Sequence, residues 1–326
     1  MALSPADIAT PLVRFASETD IAVALSGGGD SMALTHILSN WCASHKIKLH
    51  ILHVDHGLRT ESSREAKQIK SWITDIPHHK FSILKWKHTG TITKKIQEQA
   101  RDARYKLLST YCQKNKIKYL FIAHHGDDQA ETILFRLTKS SGIDGLSAMQ
   151  LTQEYNHHLT LVRPLLNTTH DDLIAYCRRH TLNWIEDPSN NADKFARVRL
   201  RQSKKILSAE GLTNDRLRLF GARCSRTKNA LQYFTDELFT KNVIKQTKNS
   251  IELMWQTIST APDEMKIRII QKSIHLLYPT RNYPAPLERI EDIVATMSQK
   301  PTSKATLANC LITWSKGKNR LIISKE

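Results

Sequence analysis

Short runs of apolar residues, mostly without alternating polar side chains, recur through the first 160 residues of the chain. Strands that are buried on both faces have this pattern, which is typical of a parallel sheet covered by helices. We predict such strands at 21–25, 49–54, 81–86 and 119–123. Segments with helical periodicity lie between or after them, at 31–44, 62–75, 92–115 and 127–139. The alternation predicts an α/β fold with a doubly wound, mainly parallel sheet and helices on both faces.

The pattern changes beyond about residue 160, where helical segments follow one another. We predict helices at 170–180, 194–209, 213–239, 263–277 and 286–298, and a terminal β-hairpin built from 307–314 and 321–324. A chain of 326 residues is long enough for two domains. We therefore predict a sheet domain at 1–212 and a smaller, mainly helical region at 213–326 that ends in the hairpin. The apolar runs are far shorter than the ~18–20 residues of a membrane span, so we expect no membrane contact.

Charge is distributed unevenly along the chain. Lysine and arginine number 48 against 31 aspartate and glutamate, which gives a formal net charge of +17. The excess is concentrated at 194–228, where eleven basic side chains stand against two acidic ones. Basic side chains bind phosphate by neutralising it, and a solvated helical face is the alternative explanation.

The cysteines exclude several classes of protein. The chain has five of them, widely scattered and without a Cys-x-x-Cys pair. This argues against a disulfide framework, a cysteine-rich zinc site and a dithiol redox centre. We therefore expect reduced thiols and a cytoplasmic location.

Three consecutive glycines follow the first predicted strand and precede the first predicted helix. Glycine lets the backbone approach a ligand closely, and a helix N-terminus favours an anion. The loop is neither a Walker A motif nor a Gly-x-Gly-x-x-Gly motif, and a plain tight turn is the alternative. We predict that the loop binds phosphate through Ser26, Gly27, Gly28, Gly29, Asp30 and Ser31.

The fourth predicted strand leads into a helix that begins with several carboxylates. Asp128 and Glu131 are three residues apart, so both project from one face near the helix start. Their place at the carboxyl end of a strand favours metal binding or catalysis, and a favourable interaction with the helix dipole is the alternative. Asp127 either caps the helix or has another role, and we expect His124 to contact phosphate or substrate and His125 to lie exposed in the loop.

Two further segments carry candidate ligand contacts. Asp55 and Arg59 follow the second predicted strand and could contact nucleotide or substrate, although a structural turn explains them as well. Arg101 and Arg104 are three residues apart on one predicted helix, so both could reach the same phosphate.

Taken together, these motifs resemble a known family. The loop sequence of 26–31 resembles the phosphate loop of N-type ATP pyrophosphatases, the PP-loop superfamily. Further segments resemble one branch of it, the tRNA(Ile)-lysidine synthetases, in order along most of 20–201. The matching segments are 26–31, 53–59, 100–105, 124–132, 142–149, 163–166 and 184–190. The most discriminating one is Glu-Asp-Pro-Ser-Asn at 186–190, which is followed by Phe195 and the arginines of 197–201.

Two places depart from the family pattern. The family usually has Arg-Gly-Ser-Gly where this chain has Lys-Ser-Ser-Gly at 139–142, so Ser140 replaces a flexible glycine. The family also usually has Asn where Val198 stands, which puts a polar contact there in doubt.

The resemblance implies an adenine nucleotide alpha hydrolase-like fold and a two-step reaction on a tRNA(Ile) whose anticodon is CAU. The carbonyl oxygen at carbon 2 of the wobble cytosine attacks the α-phosphate of ATP, and pyrophosphate leaves. Free lysine then displaces AMP and forms lysidine, which changes decoding from AUG to AUA. The resemblance also implies Mg²⁺ as a cofactor and 213–326 as a tRNA-docking region. Monomer and homodimer both remain open.

The resemblance also groups the site residues by role. The ATP phosphates are held by 26–31, with Asp55 as a further nucleotide contact. Magnesium or the lysine ammonium group is held by the carboxylates Asp30, Asp128 and Glu131. The α-phosphate or the adenylated base is steadied by His124, Arg104 and Arg197. Glu186 and Asp187 either bind lysine or cap the turn that follows them.

Two other functions remain open on the sequence. Another PP-loop enzyme such as a tRNA thiolase is one, although thiolation usually needs paired cysteines or an iron–sulfur site. A non-catalytic RNA-binding protein with a vestigial nucleotide loop is the other. Such a protein would tolerate the loss of Asp30, Asp128 and Glu131, yet all three are present.

Overall fold

The strands of the N-terminal part form one sheet in the computed structural model, which describes residues 10–57, 62–87, 96–186, 206–279 and 285–326. Within the described residues the sheet has six strands in the order β3-β2-β1-β4-β6-β5. The first five run parallel to their neighbours, and β5 adds an antiparallel edge beside β6. The strands are β1 Asp20–Ala24, β2 Lys48–Asp55, β3 Lys80–Lys85, β4 Tyr119–Phe121, β5 Thr152–Asn156 and β6 Leu159–Val162.

Helices cover both faces of this sheet, as the sequence predicted. They are α1 Gly29–His45, α2 Ser62–Trp72, α3 Ile96–Lys114, α4 Gly126–Leu137, α5 Ile143–Leu146 and α6 His170–Arg179. Successive residues of β1 enter different cores, because side chains alternate along a strand. Ile21 and Val23 pack with α1 and α2, whereas Ala22 packs with Leu108 and Cys112 of α3. The doubly wound, mainly parallel fold is confirmed.

The strand order fixes where a ligand can bind. The chain moves outward from β1 to β2 and β3, and then returns to place β4 on the other side of β1. A crevice opens at such a reversal, outside the carboxyl ends of the two central strands. The loop at 25–28 follows β1, and 122–125 follow β4, so both predicted motifs meet at this crevice.

Tertiary contacts divide the chain into Met1–Cys224 and Ser225–Glu326, and the division falls within helix α7, Asn214–Asn242. The boundary that we expect near residue 212 stays a prediction. Over the residues that the structure describes, the second unit contains a five-stranded antiparallel sheet in the order β7-β8-β11-β10-β9. Its remaining elements are β7 Val243–Gln246, β8 Ser250–Met254, α8 Trp255–Thr260, α9 Asp263–Leu277, α10 Leu287–Gln299, β9 Thr302–Leu307, β10 Cys310–Ser315 and β11 Arg320–Lys325.

The terminal hairpin is confirmed as β10 and β11, and the structure extends it with three strands that the sequence pattern did not reveal. The outer strands β7 and β9 are only slightly buried, and at most half of their residues are apolar. The same holds for β5, whose sequence is Thr-Gln-Glu-Tyr-Asn. Edge strands need to bury little surface, so apolar patterning marks them weakly.

The predicted helices match α1, α2, α3, α4, α6, α7, α9 and α10 to within a few residues at each end. The helix predicted at 194–209 lies mostly outside the described residues. Among the described helices, none is long and apolar enough to span a membrane.

Candidate functional site

The glycine loop is shaped by two backbone constraints. Gly27 has φ of +96°, a conformation that side chains rarely adopt, and its carbonyl accepts a hydrogen bond from the Ile185 backbone N–H at 2.9 Å. A Cβ on Gly27 would lie 2.6 Å from Ile69 Cδ1. A Cβ on Gly29 would collide with Cδ1 of Ile174, so a side chain there would force Ile174 to move.

Gly28 differs from its neighbours. It precedes α1 with φ of −73° and ψ of 161°, which any residue adopts, and a Cβ there would meet only Ser26 Oγ at 3.7 Å. No side chain caps the helix at Gly28, so the first N–H groups of α1 remain for a ligand. The Ser31 hydroxyl closes the loop from inside: it donates to the Gly28 carbonyl at 2.9 Å and accepts from the Gly27 N–H at 3.2 Å. This arrangement suits an anion at the helix N-terminus.

Asp30 stands at the centre of a group of charged side chains. Its Oδ1 lies 2.8 Å from Nδ1 of His170, and its Oδ2 lies 3.6 Å from Nε2 of His125. The hydrogen bond to Asp30 raises the pKa of His170 above its ordinary value. Sequence reasoning missed His170, because the two residues are 140 positions apart and nothing local to the first residue of α6 marks the contact.

The start of α4 differs from the sequence prediction. His125, not Asp127, caps the helix: its Nδ1 accepts from the Asp127 N–H at 3.3 Å, and its own N–H donates to Asp128 Oδ2 at 3.0 Å. His125 is therefore buried, with 8% of its surface exposed, and the expectation of an exposed loop histidine was wrong. An imidazole nitrogen can replace the usual carboxylate or hydroxyl cap because it too accepts a hydrogen bond. Asp127 accepts instead from the His170 N–H at 2.8 Å.

One group of side chains among the described residues has the spacing to hold a cation here. Ligand atoms of Asp30, His125 and His170 lie within 4.8 Å of one another. However, the Asp127 N–H occupies Nδ1 of His125, so Nε2 carries the proton and His125 cannot coordinate without turning. The ligand atoms of the predicted set, Asp30, Asp128 and Glu131, do not all lie within that distance of one another. Burial raises the pKa of Asp128, and the nearby Glu131 and Asp30 carboxylates raise it further, so this set would gain from a bound cation.

A cavity of about 500 Å³ lies at the crevice. Its lining includes the predicted residues Ser26, Gly28, Asp30, Ser31, Asp55, Arg104 and His124, drawn from four separate segments of the chain. Asp128 and Glu131 do not line it. Asp55 is buried and accepts a hydrogen bond from the Gly57 N–H at 3.0 Å, so it also shapes a turn. Arg59, Asp187 and Arg197 lie outside the described residues, and Glu186 is exposed.

His124 is held from behind by a residue to which sequence reasoning gave no role. Nε of Arg163 donates to Nδ1 of His124 at 3.2 Å. Burial, together with the guanidinium groups of Arg163, Arg101 and Arg104, lowers the pKa of His124 to about 3. The imidazole is therefore neutral at physiological pH. The signal for Arg163 was a basic side chain directly after the apolar run of 159–162, which is the unpredicted strand β6.

A parallel sheet with a glycine loop between its first strand and first helix, and with cationic side chains and carboxylates around one crevice, defines a PP-loop nucleotide-binding protein. In agreement, residues 5–207 match the family model of the PP-loop domain. A solved structure, the U34-tRNA thiolase NcsA from Methanococcus maripaludis with its [4Fe-4S] cluster, shares the fold. Its TM-score is 0.58 at 16% identity, over 68% of this chain and 78% of that one.

Relatives of known name narrow the class. The chain is 36% identical to the tRNA(Ile)-lysidine synthase of Wolbachia pipientis wMel, over 94% of this chain and 70% of the relative. It is 32% identical to the enzyme of the same name from Bradyrhizobium diazoefficiens, over 91% of this chain and 88% of the relative. The chain belongs to the tRNA(Ile)-lysidine synthase family.

Proposed function

We propose that this protein ligates free lysine to carbon 2 of the wobble cytidine in a tRNA(Ile) with a CAU anticodon, and so forms lysidine. The observation that carries the proposal is the shared cavity, which the PP-loop glycine segment lines together with Arg104 and His124. A phosphate seated at the N-terminus of α1 would thus stand beside two side chains that can contact its oxygens. Membership of the tRNA(Ile)-lysidine synthase family supports the choice of substrate.

In the first step the carbonyl oxygen at carbon 2 of the cytosine attacks the α-phosphorus of ATP, and the bond to the β-phosphate oxygen breaks. Pyrophosphate leaves with the electron pair. The N–H groups at the start of α1 hold the phosphates, and Arg104 stabilises the charge that develops on the α-phosphate. An anticodon base reaches such a site at low cost, because loop bases unstack readily.

In the second step the ε-amine of lysine attacks carbon 2 of the adenylated base, and AMP leaves. The amine must lose a proton, and a nearby carboxylate is the natural acceptor. Burial raises the pKa of Asp128, so its carboxylate is more basic than an ordinary aspartate. We propose Asp128 and Glu131 as the residues that hold and deprotonate the lysine amine.

The oxygens of Asp30, Asp128 and Glu131 also suit Mg²⁺, which prefers carboxylates and water. When bound there, the ion would offset charge on the phosphates of ATP. We also propose that the three carboxylates are divided between Mg²⁺ and the lysine amine, and that the protein is cytoplasmic. It acts either as a monomer or as a homodimer.

The cysteines support a ligase over a thiolase. All five are buried, and none forms a disulfide. Burial raises the pKa of Cys42 and Cys112 to about 12 and that of Cys177 to about 11. The thiolate is the nucleophile and the metal ligand in cysteine chemistry, so these three thiols are poorly suited to sulfur transfer.

The basic segment at 194–228 is proposed to bind the tRNA backbone. Part of it serves the protein itself, since the Arg218 guanidinium bonds to Asp215 and to the Asn167 carbonyl. Charge reversal at Arg199 and Arg201 should weaken tRNA binding and reduce the magnitude of the slope of log affinity against log salt by about 0.7–0.9 for each lost phosphate contact. Lys114→Glu, an exposed change at the end of α3, is the matched control. An unchanged salt slope would remove these arginines from the proposed interface.

The decisive assay follows labelled lysine into tRNA. Purified protein is incubated with ATP, Mg²⁺ and transcribed tRNA(Ile) carrying CAU, with a methionine tRNA of the same anticodon as the competing substrate. Label should enter the isoleucine tRNA and depend on ATP. Absence of ATP-dependent incorporation would refute the proposed function, and sulfur incorporation would favour the thiolase.

A second arm tests the carboxylates. Asp128→Asn should slow lysine transfer by about 100-fold while tRNA affinity stays within about twofold, because the change removes a charge and a base but little volume. Asp292→Asn, an exposed change on α10, is the control for loss of one negative charge. A collapse of tRNA binding in Asp128→Asn would contradict its assignment to chemistry.

A further inference from the structure

A buried guanidinium contacts the cavity lining at His124. Arg163 follows β6 directly, is 4% exposed, and does not line the cavity. It donates to three acceptors: Nδ1 of His124 at 3.2 Å, the Gln150 carbonyl at 3.1 Å and Oε1 of Gln153 at 2.7 Å. Its orientation is therefore fixed on three sides.

The contact with His124 has a chemical consequence. A guanidinium carries only donors, so the imidazole nitrogen that faces it must be the acceptor. In a neutral imidazole the other nitrogen then carries the proton. Since Nδ1 is occupied by Arg163, Nε2–H is the one polar group that His124 can offer to a ligand.

We propose that Arg163 is a positioning residue that holds His124 as its Nε2–H tautomer, so that His124 donates a hydrogen bond to an oxygen of the α-phosphate or of the adenylated cytidine. The inference rests on the proposed function for the identity of the ligand. The tautomer itself does not depend on the proposed function, because the contact with Arg163 sets it in the free protein.

The fold explains why this pair is rigid. β4 and β6 are parallel neighbours, and the Ile122 N–H donates to the Val162 carbonyl at 2.9 Å. The Arg163 N–H in turn donates to the Leu151 carbonyl at 2.8 Å. His124 and Arg163 thus leave the carboxyl ends of adjacent strands, with their backbones tied to the same sheet.

The tautomer decides whether His124 attracts or repels a phosphate. An Nε2–H donates to a phosphate oxygen, whereas a bare Nε2 would set its lone pair against that oxygen. Protonation of His124 is not an alternative, because Arg101, Arg104 and Arg163 already surround the ring with positive charge and His125 adjoins it. A fixed neutral donor therefore contributes without an additional charge in the site.

Nitrogen NMR tests the tautomer without reference to activity. The protein is labelled with ¹⁵N-histidine, and the His124 signals among the 15 histidines are identified by their loss in His124→Gln. In the unaltered protein Nδ1 should have the shift of an unprotonated nitrogen and Nε2 that of a protonated one. Arg163→Met, which keeps an unbranched aliphatic side chain but removes every donor, should abolish this preference. Arg163→Lys, which keeps one donor and the charge, should restore much of it.

The kinetic arm measures adenylation in single turnovers with ATP and CAU tRNA. Arg163→Met should slow adenylation by about 100-fold with ATP affinity within about twofold, and Arg163→Lys should recover at least about tenfold of the loss. His124→Gln supplies an amide N–H in place of Nε2–H and has no tautomers. Adding Arg163→Met to the His124→Gln variant should therefore slow adenylation only about threefold, far less than the about 100-fold expected when His124 is intact.

The outcomes separate the two proposals. Equal losses from Arg163→Met in the two backgrounds, or an unchanged His124 tautomer in that variant, would overturn the positioning role. Gln153→Ala provides a milder variant if Arg163→Met fails to fold, because Gln153 is exposed and holds only one end of the guanidinium. It should loosen the tautomer preference partially, and no change would count against the inference. Failure of the unaltered protein to adenylate tRNA would refute the proposed function, while the NMR result would still decide the tautomer.

Discussion

Gly28 offers a way to separate the binding of phosphate from the folding of the loop. Its backbone has ordinary angles, and a methyl group at this residue would have Ser26 Oγ at 3.7 Å as its nearest neighbour. Gly28→Ala gains stability by restricting the unfolded chain and loses some because alanine is a poorer helix cap than glycine. The two effects oppose each other and each amounts to about 1 kcal/mol or less, so the free energy of unfolding should change by less than about 1 kcal/mol.

The same methyl group should obstruct ATP. It would occupy the space through which a phosphate oxygen approaches the N–H groups at the start of α1. Loss of one hydrogen bond to a charged group costs about 1.5–3 kcal/mol, which corresponds to an affinity for ATP that is about 10- to 150-fold weaker. Isothermal titration with ATP and Mg²⁺ measures this directly.

Gly27→Ala is the matched control, because it should fail for a different reason. Its φ of +96° and the Ile69 side chain at 2.6 Å from the new Cβ both oppose the substitution. The left-handed backbone costs about 1–2 kcal/mol and the overpacking about 1–3 kcal/mol, so unfolding in urea should show a loss of about 2–5 kcal/mol. If Gly28→Ala binds ATP like the unaltered protein, the assignment of this loop to phosphate is wrong. If it loses as much stability as Gly27→Ala, the unstrained geometry at Gly28 is wrong.

Three further predictions concern stability. Ser140 has φ of +50°, which a glycine adopts without strain. Ser140→Gly, which restores the residue usual in the family, should therefore raise the free energy of unfolding in urea by about 1 kcal/mol. A loss of stability would contradict the strain argument. Burial and neighbouring arginines hold the pKa of His124 in the folded protein at about 3, whereas in the unfolded chain it is about 6.5. The neutral ring therefore contributes its full stability above pH 6.5, and the free energy of unfolding falls by up to ~1.4 kcal/mol for each pH unit below that. Urea unfolding between pH 7 and pH 5 should therefore show a shallower decline for His124→Gln, and identical slopes would refute the shifted pKa. Trp314 is fully buried and donates its indole N–H to the Lys300 carbonyl. Trp314→Ala should therefore lower the free energy of unfolding of the second unit by about 3–5 kcal/mol, measured by thermal unfolding. A loss below about 1 kcal/mol would mean that the core repacks around the smaller side chain.

The central sheet was predictable because its signal is local. The continuous apolar runs of 21–25 and 49–54 mark strands that are buried on both faces, and each helix between strands carries its own periodicity. The edge strands β5 and β9 escaped because a half-exposed strand needs few apolar residues. The glycine loop was also local, since six adjacent residues contain the whole motif.

By itself, the sequence therefore determined the fold class and the family, and it contained the glycine loop and most of the candidate residues. Only the tertiary structure decided how those residues meet. His125 became a helix cap rather than an exposed loop residue, Asp30 gained His170 as a partner, and Arg163 came to face His124. The physical reason is that strand order, not sequence distance, brings these residues together: β4 lies between β1 and β6, so side chains from three distant segments converge at one edge of the sheet.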